Sequence, residues 1–255
     1  MPSAFDAHSH LFHASAQPPD YPVVVCGTCE TDWRTVLDQA ASNRNVIPML
    51  GLHPSHKATT SPEWAAHLEA LLRSHAAGVG ECGLDSSLKD VDKNLQLATF
   101  RQHLRLAHAL HRPVTIHCVR AWGPLLGLLH EEGVPPAGSM VHAFSGSLDT
   151  ARVLEKMGVF LSFSGDILDQ RRIKLRQVLA GIDVDRLLLE SDGKIDLQCV
   201  IEGAAEILGI RPDALTALTW ENGQRCFKEL LSLGGIPAAS CCLVKQHWSD
   251  CDRRG

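Results

Sequence analysis

Six side chains that can bind metal ions lie at the C-terminal ends of short apolar runs, and these runs are spread over most of the chain. The six are His8, His10, Glu81, His117, His142 and Asp192. In a closed barrel of parallel strands, the C-terminal ends of all the strands lie on one face. We therefore expect these six side chains to meet at one site.

The remainder of the chain alternates between strand and helix patterns. An apolar run at 21–26 predicts a strand, and the 3.6-residue spacing of apolar side chains over 32–43 predicts the helix that follows it. Continuous apolar runs such as 23–25 and 187–189 are typical of parallel strands that are buried on both faces. Periodicity alone fits a closed barrel or an open doubly wound sheet. Eight strand-and-helix units and the ring of ligands favour an α/β fold of one TIM-type (β/α)8 barrel.

Length and charge bound the domain organisation and the partners. A chain of 255 residues with 45% hydrophobic content is large enough for one barrel, which commonly needs about 250 residues. We expect a single domain over 1–255, with about 238–255 forming a peripheral tail. The net charge of −5 argues against an extended interface with duplex DNA. A nucleic-acid partner would have to be held by a local site or by metal ions.

Cysteine usage and hydropathy bear on the compartment. The nine cysteines are an odd count, and no secretory signal precedes them, so reduced thiols and a cytoplasmic protein are expected. No run approaches the roughly 20 apolar residues that a membrane-spanning helix needs, which predicts no membrane partner. Strand alternation predicts that Cys82 and Cys118, which adjoin proposed ligands, point away from the site.

The spacing of the first two histidines suits a metal site. Side chains alternate along a strand, so His8 and His10 lie on the same side and can reach one ion. Asp6 lies on that side too and is expected to orient a ligand imidazole. Mixed imidazole and carboxylate ligands suit zinc, magnesium, manganese, iron or nickel. Two divalent ions about 3.5–4 Å apart can share a bridging carboxylate, and Glu81 is the natural bridge.

These residues belong to motifs through which the chain resembles, over nearly its whole length, the TatD family of metal-dependent hydrolases, which lies within the amidohydrolase-like barrels. The motifs are Asp6-Ala-His8-Ser-His10-Leu11, Gly51-Leu-His53-Pro54, Gly80-Glu81-Cys-Gly83-Leu84-Asp85, Ile116-His117, His142-Ala-Phe144-Ser-Gly146-Ser147, Asp185-Arg-Leu-Leu-Leu-Glu-Ser-Asp192 and Glu221-Asn222-Gly-Gln-Arg225-Cys-Phe227. They are specific as a set, whereas no single one would be.

The resemblance implies a role for each ligand. His8 and His10 would hold the first ion, and His117 and His142 the second. Glu81 would bridge the ions, and Asp192 would bind metal and accept a proton from the attacking water. Glu81 and Asp192 are therefore the predicted catalytic residues. Members of the family are associated with phosphodiester hydrolysis, chiefly as deoxyribonucleases, so the resemblance implies DNA or an oligonucleotide as the substrate.

Three departures from the family pattern affect the substrate prediction. Ser86-Ser87 replaces an aromatic pair on which a nucleobase could stack. Arg120 is displaced by one position from the family's arginine, and Lys194 follows Asp192 where the family has a longer loop. We expect His53, Arg120 and Lys194 to contact the substrate. The alternative for His53 is a hydrogen bond within its own loop.

The sequence therefore predicts a divalent-metal-dependent hydrolase that cleaves phosphodiester bonds, as a TatD-like deoxyribonuclease acting on DNA strands or ends. One alternative is an amidohydrolase-type enzyme that cleaves an amide, ester or lactone, because a similar barrel and ligand set can polarise a carbonyl group. The other is a catalytically idle barrel that acts as an interaction module.

Overall fold

Eight parallel strands form the centre of the protein and are hydrogen-bonded to one another in chain order. The structure is a computed structural model and describes residues 4–10, 19–55, 60–89 and 91–234. The tail predicted at about 238–255 lies outside the described residues. The strands are β1 (Asp6–Ser9), β2 (Val23–Cys26), β3 (Val46–Leu50), β4 (Gly78–Asp85), β5 (Val114–Val119), β6 (Ser139–Val141), β7 (Phe160–Phe163) and β8 (Leu187–Leu189).

Helices follow β2 and each later strand, and two further helices follow the last of these. They are α1 (Glu30–Ser42), α2 (Trp64–Ser74), α3 (Lys93–Leu110), α4 (Trp122–Glu132), α5 (Leu148–Lys156), α6 (Ile173–Gly181), α7 (Leu197–Leu208), α8 (Pro212–Cys226) and α9 (Lys228–Gly234). The helix predicted over 32–43 is α1, which begins two residues earlier because the Asp32 carboxylate accepts hydrogen bonds from backbone N–H groups that precede the helix. None of the described helices has the length and apolarity that crossing a bilayer requires.

The strands divide the core into two parts. On β2, Val23 and Val25 pack towards the surrounding helices, whereas Val24 and Cys26 pack inside the barrel. This alternation explains why the strand is a continuous apolar run, because both of its faces are buried. Cys82 packs in the outer layer, as does Cys118, so the prediction that both point away from the site is confirmed.

The barrel is closed by hydrogen bonds between β1 and the segment that follows β8. The backbone N–H of Ser191 donates to Asp6 Oδ1 at 2.9 Å, and the backbone N–H of Asp192 donates to the carbonyl of His8 at 3.0 Å. The eight strands thus form a nearly closed barrel, and the predicted (β/α)8 fold is confirmed. Closure also brings Asp192 beside His8 and His10, although they lie far apart in the sequence.

Asp6 holds backbone in place rather than the imidazole that we expected it to orient. Its Oδ1 accepts from the N–H groups of Ser191 at 2.9 Å and His8 at 3.4 Å, and the carboxyl group is 3% exposed. Burial raises the pKa of this carboxyl to about 7, against the opposing effect of the hydrogen bonds from Ser191. The side chain therefore links the first strand to the end of the last.

We expect Asp6→Ala to lower the free energy of unfolding by about 1–3 kcal/mol, because the buried N–H of Ser191 loses its acceptor. Asp6→Asn keeps an acceptor oxygen at the same place, so its free energy of unfolding should fall by less. Urea denaturation of the two variants beside the unmodified protein measures both effects. Equal losses in the two variants would show that the hydrogen bond to Ser191 contributes nothing to closure.

Candidate metal centre

A cavity of about 980 Å³ opens at the C-terminal ends of the strands. Five of the six predicted ligands line it; four of these are 13% exposed or less, and His10 is the most open at 40%. His8 lies below them and is fully buried. The lining ligands are His10, Glu81, His117, His142 and Asp192. The structure therefore brings all six side chains to one face of the barrel, from five different strand ends.

Glu81 lies at the centre of the cluster, and its two carboxylate oxygens face different groups of imidazoles. Oε1 lies 2.8 Å from both His117 Nδ1 and His142 Nε2. Oε2 lies 3.5 Å from His8 Nε2 and 4.0 Å from His10 Nε2. This carboxylate is approached by nitrogens of both sets, as a shared ligand must be.

The first set contains His8, His10 and Asp192. Asp192 Oδ1 lies 3.3 Å from His10 Nε2 and 3.8 Å from His8 Nε2. His8 Nε2 and Asp192 Oδ1 are both buried and have no hydrogen-bond partner among the described residues. Buried polar atoms are normally paired, so two such atoms facing each other fit a bound cation. The imidazole and carboxylate donors also suit a divalent transition metal.

The second set contains His117 and His142 and is joined by a third histidine. His53 Nε2 lies 3.5 Å from Glu81 Oε1, and its ring centroid is 4.3 Å from that of His117. One ligand atom each from His53, Glu81 and His117 falls within a span of 4.8 Å. His53 Nδ1 also lies 2.6 Å from Ser55 Oγ, within its own loop. His53 is therefore placed to contact the metal centre. It also makes the contact within its own loop that was predicted as the alternative.

Charges in the cluster are strongly coupled. Burial opposes the charge on Glu81, but His142 and His117 hold the pKa of that carboxyl well below its usual value. Burial, with a contribution from His142, lowers the pKa of His8 well below its usual value. A neutral His8 leaves a nitrogen lone pair for a cation. Although burial opposes it, Glu81 and Glu190 raise the pKa of His142, so a cation bound there would displace a proton.

Glu190 is a member of the site that the sequence prediction missed. Oε1 lies 3.3 Å from His142 Nδ1 and accepts from the backbone N–H of Ala143 at 3.1 Å. The Ser162 hydroxyl donates to Oε2, and the side chain is fully buried. This carboxylate therefore fixes the ring of His142 with Nε2 directed at Glu81. The sequence did show Glu190 as an acidic residue at the end of an apolar run, but the prediction assigned the ligand role to the nearby Asp192.

Two further imidazoles are held in the same way. His117 Nε2 lies 3.4 Å from Asp85 Oδ2, while Asp85 Oδ1 accepts from the backbone N–H of Ser87 at 2.8 Å and from its hydroxyl at 2.5 Å. His8 Nδ1 lies 3.4 Å from the Sγ atom of Cys26. Metal-binding histidines commonly pair their second ring nitrogen with an outer partner that sets tautomer and orientation. Ser87 thus supports the site through Asp85.

Comparisons with known proteins identify the family of this chain. Residues 5–228 match the profile of the family described as TatD related DNase. The chain belongs to the TatD family. YabD of Bacillus subtilis (strain 168), an uncharacterized metal-dependent hydrolase, is 27% identical over 254 residues, which cover 88% of this chain and 98% of YabD. A 3'-5' ssDNA/RNA exonuclease TatD from Cronobacter turicensis is 38% identical over 144 residues, which cover 56% of this chain and 55% of that protein.

Solved structures of TatD proteins share the fold. YJJV, a TatD homologue from Escherichia coli K12, has a TM-score of 0.76 and 27% sequence identity, over 81% of this chain and 86% of YJJV. A TatD family hydrolase from Entamoeba histolytica has a TM-score of 0.72 and 17% identity, over 89% of this chain and 98% of that chain, which shows the fold alone. The present TatD protein is a metal-dependent hydrolase acting on ester bonds.

The other two predicted substrate contacts of this TatD protein lie at the rim of the cavity. Arg120 is exposed and follows β5, in a left-handed backbone conformation with φ of 51°. Lys194 is 75% exposed, and its Nζ lies 2.5 Å from Asp192 Oδ2. Both line the same cavity as the cluster. Their contact with a substrate stays a prediction.

We expect Glu190→Ala to weaken metal binding by this TatD protein by about 10–100-fold, because the ring of His142 loses the carboxylate that orients it. Glu190→Gln keeps an oxygen acceptor, so its metal affinity should lie between those of Glu190→Ala and the unmodified protein. Competition with a fluorescent zinc chelator measures the affinities, and Glu206→Ala on the exposed face of α7 serves as the control. Unchanged affinity in Glu190→Ala would contradict the orienting role.

Proposed function

We propose that this TatD protein hydrolyses phosphodiester bonds in single-stranded DNA or at DNA ends, with two divalent ions held at the cluster. The observation that carries the proposal is the position of Glu81, whose two oxygens face two separate sets of imidazoles beneath an open cavity. A shared carboxylate between two ligand sets suits enzymes that displace one oxygen of a phosphodiester with another.

Each set of side chains has a distinct place in the proposed centre. His8, His10 and Asp192 would hold one ion, His117 and His142 the other, and Glu81 both. The position of His53 beside Glu81 Oε1 makes it a further candidate ligand of the second ion. When bound, divalent ions activate water as a nucleophile and stabilise the negative charge of the transition state. Glu190, Asp85 and Cys26 would keep the imidazoles oriented.

Asp192 is the proposed proton acceptor. Its carboxylate is 12% exposed and lines the cavity, so it can reach both the cluster and an entering substrate. Lys194 contacts Oδ2, which leaves Oδ1 directed at the histidines. A carboxylate in that position can take a proton from the water that attacks phosphorus. Although burial opposes it, hydrogen bonds from His10 and Lys194 hold the pKa of this carboxyl well below its usual value, which gives the ionised form that this step needs.

The rim suits a charged, flexible substrate. Arg120 and Lys194 both line the cavity and carry exposed positive charges that can contact phosphate groups on either side of the cleaved bond. Because the chain has a net charge of −5, the electrostatic contribution to DNA binding must come from such local contacts. The exonuclease activity named for the Cronobacter relative supports the same substrate class, although the aligned region spans about half of that protein.

Cleavage of end-labelled oligonucleotides tests the proposal. Protein stripped with a chelator and reconstituted with zinc, manganese or magnesium is incubated with single-stranded and double-stranded DNA of one sequence. We expect metal-dependent cleavage of the single strand, a product ladder that gives the polarity, and loss of activity in Asp192→Asn. Hydrolysis of 4-nitrophenyl acetate without cleavage of DNA by metal-loaded protein would overturn the proposal in favour of an amidohydrolase-type enzyme.

A further inference from the structure

An indole ring lies in the wall of the cavity that contains the metal cluster. Trp122 is the first residue of α4, is half-buried, and lines the cavity. Among the described residues that line this cavity, it carries the one aromatic ring that is not an imidazole. Part of a large, flat apolar surface is therefore exposed inside a polar site.

Packing holds this ring in place. The ring centroid of Phe144 lies 4.9 Å from that of Trp122 at an interplanar angle of 52°, and Phe144 is 1% exposed. Phe144 in turn packs on Phe163 of β7, with 6.0 Å between the centroids. A Cβ atom added at Gly146 would lie 3.1 Å from Trp122 Cε2, so the lack of a side chain at this glycine leaves the space that the ring occupies. The ring is thus supported from the barrel core and needs little ordering when it binds a ligand.

The chain connects this ring directly to the cluster. His117 lies within β5, and the connection from β5 to α4 carries Arg120 and then Trp122. All three line the same cavity. A phosphate held near His117 with a guanidinium beside it would place the attached nucleoside along the wall formed by Trp122. Stacking on an aromatic ring is the common means by which proteins bind bases of single strands without reading their sequence.

Taking the 3'-5' polarity named for the Cronobacter relative, we propose that Trp122 is the surface on which the 3'-terminal base of a single strand stacks, so that this residue gives the enzyme a preference for strands with an intact terminal base. The inference rests on the proposed nuclease function. It accounts for the Ser86-Ser87 departure, because Ser87 is engaged with Asp85 and neither serine offers a ring. The proposed base-stacking residue instead follows His117 in the sequence, whereas Ser86 and Ser87 precede it.

Two substrates and four proteins test the proposal. The substrates are single strands of one sequence, with either a natural 3'-terminal nucleotide or an abasic analogue there. The proteins are the unmodified enzyme, Trp122→Ala, Trp122→Phe and the control Trp64→Phe. Trp64 packs on His103 at 4.7 Å and does not contribute to the cavity lining. The ratio of kcat/KM between the two substrates measures what the base contributes in each protein.

We expect a ratio of about tenfold or more in the unmodified enzyme, in line with the usual contribution of one stacked base. The ratio should fall to near one in Trp122→Ala, stay intermediate in Trp122→Phe, and keep its original value in Trp64→Phe. The metal content and melting temperature of each variant identify any loss that comes from misfolding. Trp122→Phe keeps an aromatic ring of smaller area, so it still measures the contribution of stacking if Trp122→Ala does not fold.

Three results would overturn the inference, and they differ in what they leave of the nuclease function. A base ratio in Trp122→Ala equal to that of the unmodified enzyme, or a ratio near one in the unmodified enzyme, excludes stacking on Trp122 but leaves the nuclease function intact. Hydrolysis of bis(4-nitrophenyl) phosphate with no cleavage of either strand excludes the nuclease function and the stacking site with it.

Discussion

Glu81→Ala is expected to lower kcat/KM for phosphodiester hydrolysis by about a thousandfold or more, the largest effect of any single substitution in the site. The carboxylate approaches His117 and His142 with one oxygen and His8 and His10 with the other. Its removal deprives both sets of their shared ligand. Neither set retains a complete group of donors.

Steady-state hydrolysis of bis(4-nitrophenyl) phosphate by metal-reconstituted protein measures this effect. Glu81→Gln separates charge from shape, because it keeps the volume of the side chain and one acceptor oxygen. We expect it to be nearly as inactive as Glu81→Ala. Glu69→Gln on the outer face of α2 controls for a general effect of the substitution. If Glu81→Gln retained more than about a tenth of the activity, a charged bridging ligand would not be needed.

Gly83→Ala is expected to have the largest effect on stability, about 3–5 kcal/mol in the free energy of unfolding. Gly83 has φ of 151°, in a region that side chains disfavour, and pairs with His117 in the register between β4 and β5. A Cβ atom here would lie 2.0 Å from the carbonyl oxygen of His117. The strands must move apart to accept it, and His117 moves with them.

Gly127→Ala is the matched control for Gly83→Ala. Gly127 lies within α4, and a Cβ atom there would meet no heavy atom within 4 Å. Alanine is favoured over glycine inside a helix, so this variant should gain about 0.5–1 kcal/mol. Urea denaturation of both variants gives the two changes with opposite signs. Equal stability of Gly83→Ala and the unmodified protein would mean that β4 and β5 are less closely packed than the structure has them.

The barrel and the convergence of the six side chains were predictable from sequence. Strands buried on both faces appear as continuous apolar runs, and parallel topology places their C-terminal ends together whatever their separation along the chain. His8 and Asp192 illustrate this, because a period-two pattern and an apolar run placed them at strand ends, and barrel closure joined those ends. The central position of Glu81 was also expected from its carboxylate chemistry.

The partners that orient the imidazoles were not predictable in the same way. Glu190 reaches His142 from two strands away, and Asp85 reaches His117 across the β4–β5 pairing. Neither contact follows a periodic pattern in the sequence, because each depends on how side chains from different strands are oriented at one face of the barrel. Asp6 shows the same limit. Strand alternation placed it on the side of His8, but its carboxylate binds the backbone of Ser191.

The most direct test of the account is the number of ions bound by the unmodified protein and by Glu81→Gln. Each is stripped with a chelator, dialysed against zinc, and analysed by inductively coupled plasma mass spectrometry alongside the protein concentration. The shared carboxylate predicts two ions per chain in the unmodified protein and a loss of bound metal in Glu81→Gln. A single ion in the unmodified protein, or two ions in both proteins at equal affinity, would contradict a centre built around Glu81.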